Sequence, residues 1–352
     1  MSRIAVGMSG GVDSAVAAAI LIDKGYDVEG FFMKNWDEDS EFCNAEKDYV
    51  DALQVCQNLD IPLRSINFEK EYWDRVFNHF LDEYKKGRTP NPDILCNTEI
   101  KFKEFLNYTI DLGVDKIATG HYARIKLDRE KNQLLKGSDK FKDQSYFLYG
   151  LNQHQISKAI FPIGDLLKTD VRRLAKKFGF DNYNKKDSVG ICFIGKRDVK
   201  QFLNKYIQNQ PGDIVNSTGE KLGEHDGVMF YTIGQRKGLG IGAKNSNHGA
   251  WYVVDKDIQN NELMVCQGRD HPALYQKTIT ASQTHWISGI PPLKKNLNAK
   301  IRYRGNDTPC TITKIDNHKV FIIFEYPCFA IAPGQSIVFY DNDICLGGAI
   351  ID

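Results

Sequence analysis

Residues 4–14 read Ile4-Ala5-Val6-Gly7-Met8-Ser9-Gly10-Gly11-Val12-Asp13-Ser14: an apolar run, a glycine-rich turn and the opening of an apolar helix. Gly10 and Gly11 let the backbone turn tightly and bring N–H groups close to an anion. Ser9 and Ser14 offer hydroxyls, and the helix N-terminus adds partial positive charge. The octapeptide Gly7-Met8-Ser9-Gly10-Gly11-Val12-Asp13-Ser14 is therefore a phosphate cradle. Asp13 would repel a phosphate unless a cation lies between them, so its presence points to Mg²⁺ carrying the pyrophosphate. A plain glycine turn with a serine cap is the structural alternative, and the complete string directly after a strand disfavours it.

Working outward, the first half alternates strands and helices. Val12–Lys24 reads as a helix ended by Gly25, Asp27–Lys34 as a strand, Ala45–Leu59 as a helix and Leu63–Phe68 as a strand. Helices over Glu71–Tyr84 and Thr98–Leu112 and a strand over Lys116–Thr119 follow. This order predicts a parallel sheet covered on both faces. From Gln210 the texture changes to short apolar runs punctuated by glycine, such as Trp251–Val254 and Glu262–Cys266, which read as antiparallel strands. After Asp270–Pro272, the runs Lys300–Tyr303, Thr311–Ile315, Val320–Phe324 and Ser336–Tyr340 read as a small β-barrel or sandwich. The expected class is α/β: a parallel-sheet domain over residues 1–209, a central β-rich domain over 210–270 and a C-terminal β-barrel over 271–352.

Composition narrows the classes. The 352 residues carry 46 Lys and Arg against 45 Asp and Glu, a formal charge of +1, with 42% hydrophobic residues. That excludes disordered, collagenous and membrane-spanning classes and a chain basic throughout, while leaving room for a local basic face. The chain enters its first strand at once, which leads us to expect a cytoplasmic protein without a membrane partner. Eight cysteines without a C-x-x-C pair form neither a disulfide scaffold nor a zinc site.

Two cysteines stand apart. Cys96 ends the proline-stiffened Thr89-Pro90-Asn91-Pro92-Asp93-Ile94-Leu95-Cys96, with a helix expected to begin near Asn97, so its sulfur should feel the helix N-terminus. Cys192 lies in the glycine-bounded Gly190-Ile191-Cys192-Phe193-Ile194-Gly195, followed by Lys196 and Arg197. Gly195-Lys196 is no Walker loop, because Arg197 stands where Ser or Thr would hold Mg²⁺. Lys168 to Lys205 contains eleven cations against four acids, and Lys294 to Arg304 five cations with no acid, which suits an RNA backbone. Asp37 to Asp51, with seven acids, shows that charge of the other sign also clusters.

The octapeptide resembles the PP-loop of the N-type ATP pyrophosphatases, which adenylate a carbonyl oxygen and release pyrophosphate; that domain has an adenine nucleotide alpha hydrolase-like fold. Further strings extend the resemblance: Phe32–Trp36 (F-M-K-N-W), Asn91–Asn97 (N-P-D-I-L-C-N), Ala118–Ala123 (A-T-G-H-Y-A) and Lys142–Leu148 (K-D-Q-S-Y-F-L). So do Gly190–Gly195 (G-I-C-F-I-G), Tyr231–Gly240 (Y-T-I-G-Q-R-K-G-L-G) and Ala332–Gln335 (A-P-G-Q). Together they resemble the bacterial tRNA-specific 2-thiouridylases over almost the whole chain.

The resemblance implies roles residue by residue. ATP would meet Gly7 to Ser14, Met33 and Gly120, with Mg²⁺ at Asp13; the target base would meet Asn91, Pro92 and Asp93, Asp93 also serving as general acid/base. Cys192 would carry a persulfide and Cys96 would be the second catalytic thiol, while His121, Lys142, Asp143, Gln144, Arg302, Tyr303 and Gln335 would touch tRNA. The expected reaction is thiolation of the wobble uridine at C2, after ATP adenylates its oxygen. Sulfur would come from a cysteine desulfurase or persulfide relay protein, and the RNA contact would be the anticodon stem-loop. Sulfur transfer by direct persulfide attack and by hydrosulfide released through Cys96 both remain open. An amidating PP-loop ligase would need no cysteine, and a non-catalytic tRNA-binding protein would need no persulfide; Cys96, Cys192 and Asp13 argue against both.

Overall fold

The computed structural model describes residues 1–36, 45–187, 190–191, 193–195, 197–242, 249–292, 296–316 and 318–352. Its first unit is built outward from β1 (Arg3–Gly7), buried from Ile4 onward because both faces of the strand are covered. α1 (Val12–Asp23) buries Ala15, Ala17, Ala18 and Ala19 together with Val16, and the short alanine side chains let it lie close to the sheet. It stops where Gly25 takes a left-handed φ of 78° and its N–H returns to Ile22 O at 2.8 Å.

β2 (Asp27–Lys34), α2 (Ala45–Asn58) and β3 (Leu63–Asn67) follow, then α3 (Glu69–Tyr72), which runs through a π turn at Trp73–Phe77 into α4 (Asn78–Lys85). α5 (Pro92–Leu95) likewise continues through a π stretch, Cys96–Glu104, into α6 (Phe105–Asp111), ahead of β4 (Lys116–Ala118). After the hairpin β5 (Ala123–Asp128) and β6 (Lys131–Lys136) come α7 (Gln153–Ser157) and β7 (Ala159–Ile160). α8 (Lys168–Lys177) and α9 (Val199–Leu203) complete this part. The sheet order is β3-β2-β1-β4-β7, with every pairing parallel. The chain leaves β1 for β2 and β3 on one side and returns to β4 on the other, so a crevice opens beyond the C-terminal ends of β1 and β4.

The central sheet joins β8 (Gly212–Val215), β9 (Lys221–His225), β10 (Trp251–Asp257) and β11 (Glu262–Gln267) in the order β10-β11-β8-β9. The β10–β11 pair is antiparallel as expected, but β11 and β8 run parallel. Next come β12 (Tyr275–Trp286), β13 (Asn296–Lys300), β14 (Thr308–Asp316), β15 (Lys319–Phe329), β16 (Ser336–Asp341) and β17 (Ile344–Ile351). They close into a six-stranded barrel through the β12–β17 pairing, settling the barrel over the sandwich. β13 ends at Lys300, so Ile301 to Arg304 follow the strand rather than form it.

One connection went unread in the sequence. The β5–β6 hairpin leaves the parallel-sheet part and pairs Leu134 and Leu135 with Cys345 and Ile344 of β17. Beneath it, the apolar cluster of Phe31, Phe102 and Phe105 continues without a break to Val338, Tyr340 and Cys345 of the barrel. Among the described residues, no helix is long and apolar enough to cross a membrane.

Candidate active site

β1 ends at Gly7 and α1 begins at Val12, with Gly11 at the N-cap and no side chain capping the helix. The first-turn N–H groups therefore have no side-chain acceptor, the state in which a helix start receives an anion. The loop between is held from both sides. Met8 is buried and its N–H reaches Phe31 O at 2.7 Å, while Ser9 and Ser14 hydroxyls meet at 3.2 Å and Ser14 Oγ donates to Gly11 O at 3.1 Å. Gly10 takes φ 69°, and a Cβ there would stand 2.3 Å from the Asp48 carbonyl oxygen. Its own carbonyl is drawn away by Asn182 Nδ2 (3.2 Å) and Lys185 Nζ (3.1 Å).

Of the other residues expected at ATP, Gly120 lies against the first turn of α1, where a Cβ would come within 2.7 Å of Asp13 C and Ser14 N. Met33, at the end of β2, brings its Cε to 3.1 Å from where a Gly7 Cβ would sit. The structure thus gathers Gly7 to Ser14, Met33 and Gly120 at one crevice.

Asp13 has partners within the protein. Lys168 Nζ donates to both its oxygens at 2.8 Å, and Tyr122 OH donates to Oδ1 at 2.8 Å. Burial, with Asp13 beside it, raises the Tyr122 pKa so that the phenol stays a donor. Lys168 also meets Asp187 Oδ1 at 2.7 Å, and Asp187 takes Lys142 at 2.6 Å and Arg172 at 3.5 Å. Burial works against the Asp187 carboxylate, yet hydrogen bonds from Lys142 and Lys168 hold its pKa below the usual range. Both Asp13 oxygens are thus engaged by protein donors, Lys168 and Tyr122. No group of three or more metal-binding side chains occurs among the described residues. Within the protein, the cation beside Asp13 is Lys168.

The segment before Cys96 is folded differently from expectation. The helix starts at Pro92, not near Asn97: Asn91 is its N-cap, and Asn91 Oδ1 accepts the Asp93 N–H at 3.1 Å. Cys96 is therefore a full turn inside, buried in the apolar cluster and away from the N-terminal charge. Asp93 occupies the first turn instead. Burial pushes its carboxyl pKa up, with Lys101 opposing. Lys101 also lies in electrostatic reach of His121, whose pKa burial drives well below its ordinary value. Cys192, the other expected thiol, lies outside the described residues. Its neighbour Phe193 is buried and packs edge-on to Phe77 and Phe80 at 5.3 and 5.2 Å.

Several residues expected to touch RNA have protein partners. His121 is buried between Phe102 and Phe161, with Nδ1 2.7 Å from Thr119 Oγ1. Asp143 is buried and its carboxylate takes the N–H groups of Gly137 and Ser145 and the Lys300 ammonium, so it pins the first unit to the barrel. Gln144 Oε1 accepts the Tyr122 N–H at 3.0 Å, and the Tyr303 ring packs tilted against Phe147, centroids 4.3 Å apart. The basic run is also partly internal. Lys168 faces Asp13, Lys185 holds Asp48 and Asp51, and Arg172 donates to the carbonyls of Tyr183 and Lys185. Its cation excess is therefore no measure of an RNA face.

Three separate strings converge behind Asn91. Gln335 Nε2 donates to Thr89 O at 2.7 Å, the Thr89 N–H donates to Pro333 O at 2.9 Å, and Thr89 and Thr232 hydroxyls meet at 3.1 Å. Arg302 ties Ile233 O to Ala330 O. Thr89, Lys168, Tyr122 and Asp187 were not singled out from sequence. Tyr122 lay within the Ala118–Ala123 string and Lys168 within the basic run, but nothing local marked either as a partner of Asp13.

Three family models tile the chain: the tRNA methyl transferase HUP domain over residues 2–196, the tRNA methyl transferase PRC-barrel domain over 200–267 and the aminomethyltransferase beta-barrel domain over 276–351. The tRNA-specific 2-thiouridylase MnmA 1 of Geobacillus kaustophilus is 55% identical over 99% of this chain and 95% of its own. The chain belongs to the tRNA-specific 2-thiouridylase family. Other members include the MnmA proteins of Psychromonas ingrahamii, 54% identical over 99% of this chain and 97% of its own, and Haemophilus influenzae, 55% over 99% and 92%. With such coverage, the 2-thiouridylase family relationship extends over all three sheets rather than the parallel-sheet unit alone.

Proposed function

We propose that the protein is an ATP-dependent tRNA 2-thiouridylase acting on the wobble uridine of the anticodon stem-loop. The observation that carries this reading is the uncapped start of α1, with Asp13 held by Lys168, at the crevice beyond β1 and β4. The N–H groups of Ser9 to Ser14 would take the triphosphate, and Met33 and Gly120 would border the nucleotide. The uridine C2 oxygen attacks the α-phosphorus, pyrophosphate leaves, and the oxygen becomes part of an AMP leaving group. A persulfide on Cys192, loaded by an external desulfurase or relay protein, supplies sulfur to C2 and AMP departs. Either the outer sulfur attacks C2 directly and Cys96 then cleaves the S–S bond, or Cys96 cleaves it first and frees hydrosulfide; both routes leave Cys96 joined to Cys192. Asp93, with its raised pKa, is suited to hold and pass a proton at the base, and Asn91 and Pro92 would line the base's entry. Any Mg²⁺ would arrive on the triphosphate. A base must leave the anticodon stack to reach such a site.

The test is nucleoside analysis of tRNA from a strain lacking the gene, which should lose wobble 2-thiouridine and regain it with the wild-type chain. With purified protein, Cys192→Ser should accept no labelled sulfur yet still release pyrophosphate. Cys96→Ser should accumulate label without product. Methyl transfer, the reaction in the domain descriptions, would release no pyrophosphate and overturn the reading.

A further inference from the structure

Lys168 is the first residue of α8, with its N–H fixed by Asp139 Oδ2 at 2.9 Å and its ammonium 5.7 Å from the Tyr122 ring centroid. Only 9% of the residue is exposed. An ammonium has three protons, and here three carboxylate oxygens surround it: both of Asp13 at 2.8 Å and Asp187 Oδ1 at 2.7 Å. We propose that Lys168 is a triphosphate-binding residue held in place by Asp13, and that the incoming phosphates take it from Asp187. This deepens the ATP-dependent reading above and rests on it.

The direction of the exchange follows from what each acid would keep. Asp13's remaining partner after losing Lys168 is the neutral Tyr122 hydroxyl, and a half-buried carboxylate without a cation beside a triphosphate is costly. Asp187 retains Lys142 at 2.6 Å and Arg172 at 3.5 Å, so it can release Lys168 and stay compensated. Asp187 is thus a competitor of ATP for one ammonium, and Asp13 a supporter. Arg173 of α8 does not share the role, since it pairs with Asp170 on the exposed side.

The test measures binding directly, using the full chain, α,β-methylene-ATP and AMP in calorimetric titrations. Lys168→Met should weaken the ATP analogue by on the order of 100-fold, the scale of truncating one partner of a buried, hydrogen-bonded charge pair. AMP affinity should change far less, since AMP lacks the phosphates in question. Lys168→Arg should recover most of the analogue's affinity. Asp187→Asn should tighten the analogue several-fold, whereas Asp13→Asn should weaken it. The double variant Asp13→Asn, Lys168→Met should stay weak. Equal losses for ATP analogue and AMP in Lys168→Met would make the lysine a structural support and overturn the inference. So would recovery of affinity in the double variant, which would reduce Lys168 to a neutraliser of Asp13, or weaker binding in Asp187→Asn. Melting temperatures identify variants that fail to fold, for which Lys168→Arg and Asp187→Asn carry the test. If the wild-type chain binds neither nucleotide, the ATP-dependent reading fails instead, and if it binds both but thiolates nothing, only the proposed reaction fails.

Discussion

α1 starts at Gly11, which offers no side chain to its first-turn N–H groups, whereas α5 starts at Asn91, whose Oδ1 takes the Asp93 N–H at 3.1 Å. The next residue of α5 is Pro92, which has no N–H at all. Both helices carry the same dipole, but one start is left open for an anion and the other is closed by its own chain. At the closed end a carboxyl group, Asp93, occupies the first turn, and burial has overcome the dipole that would ordinarily favour its charged form. The lesson is that a helix start specifies no function by itself; the cap residue decides whether it binds a ligand or presents an acid.

The comparison is broken most severely by capping the open end. Gly11→Asp suits the extended backbone there, φ −89° and ψ 161°, and supplies both a cap and a negative charge. ATP-analogue affinity should fall by on the order of 100-fold, because a like charge is set against the phosphates. Thermal stability should hold or rise slightly, since Gly to Asp at an N-cap changes stability by only a few tenths of a kcal/mol. Unchanged affinity in a titration would show that phosphates do not use this helix start.

Uncapping the closed end is milder. Asn91→Ala leaves the Asp93 N–H without its acceptor and should cost about 1 kcal/mol in a denaturant melt, with Asn91→Asp nearly neutral. Product formation should fall in Asn91→Ala while ATP-analogue affinity stays put, because the two helix starts belong to different parts of the proposed reaction. Loss of both together would mean the starts are mechanically linked.

What was legible in the sequence and what was not follow the range of each interaction. The β-α-β order and the open loop are local, and Gly7 to Ser14 showed them without help. Cys96 was misplaced on its helix because Asn91-Pro92-Asp93 was read as a stiff lead-in, when Asn91 is a cap and Pro92 the favoured first helical residue. The parallel β8–β11 pair joins strands with both β9 and β10 between them in the chain, and the β5–β6 hairpin finds its partner in the distant β17. Lys168 lies 155 residues from Asp13, inside a run whose positive charge read as a surface for RNA. Without coordinates, a cation inserted against an acid and one exposed to solvent leave the same letter in the sequence. The protein cation beside Asp13 was hidden in the same way, since nothing near Asp13 in sequence points to Lys168.

The subtlest test concerns the Asp93 carboxyl, where two effects oppose each other. A first-turn acid gains roughly 0.3–1 kcal/mol from the helix dipole at an exposed site, which would lower its pKa. Here burial dominates and raises it, with Lys101 pulling the other way. A raised folded-state pKa means that the folded chain binds the proton more tightly than the unfolded one, so the contribution to stability is complete below the unfolded value and is lost as pH rises through the folded one. Once the pH is high enough to ionise it, the fold carries a desolvated carboxylate that an amide would not. Asp93→Asn should be more stable than wild type at pH 8, by less than the cap of Asn91 is worth, and this advantage should shrink as the pH is lowered toward 4.5. Paired melts across that range read the difference directly. A variant less stable than wild type at pH 8, with the gap closing in acid, would show a carboxylate stabilised by the dipole and Lys101. The closed helix start would then hold a charge as the open one does, and the contrast between them would vanish.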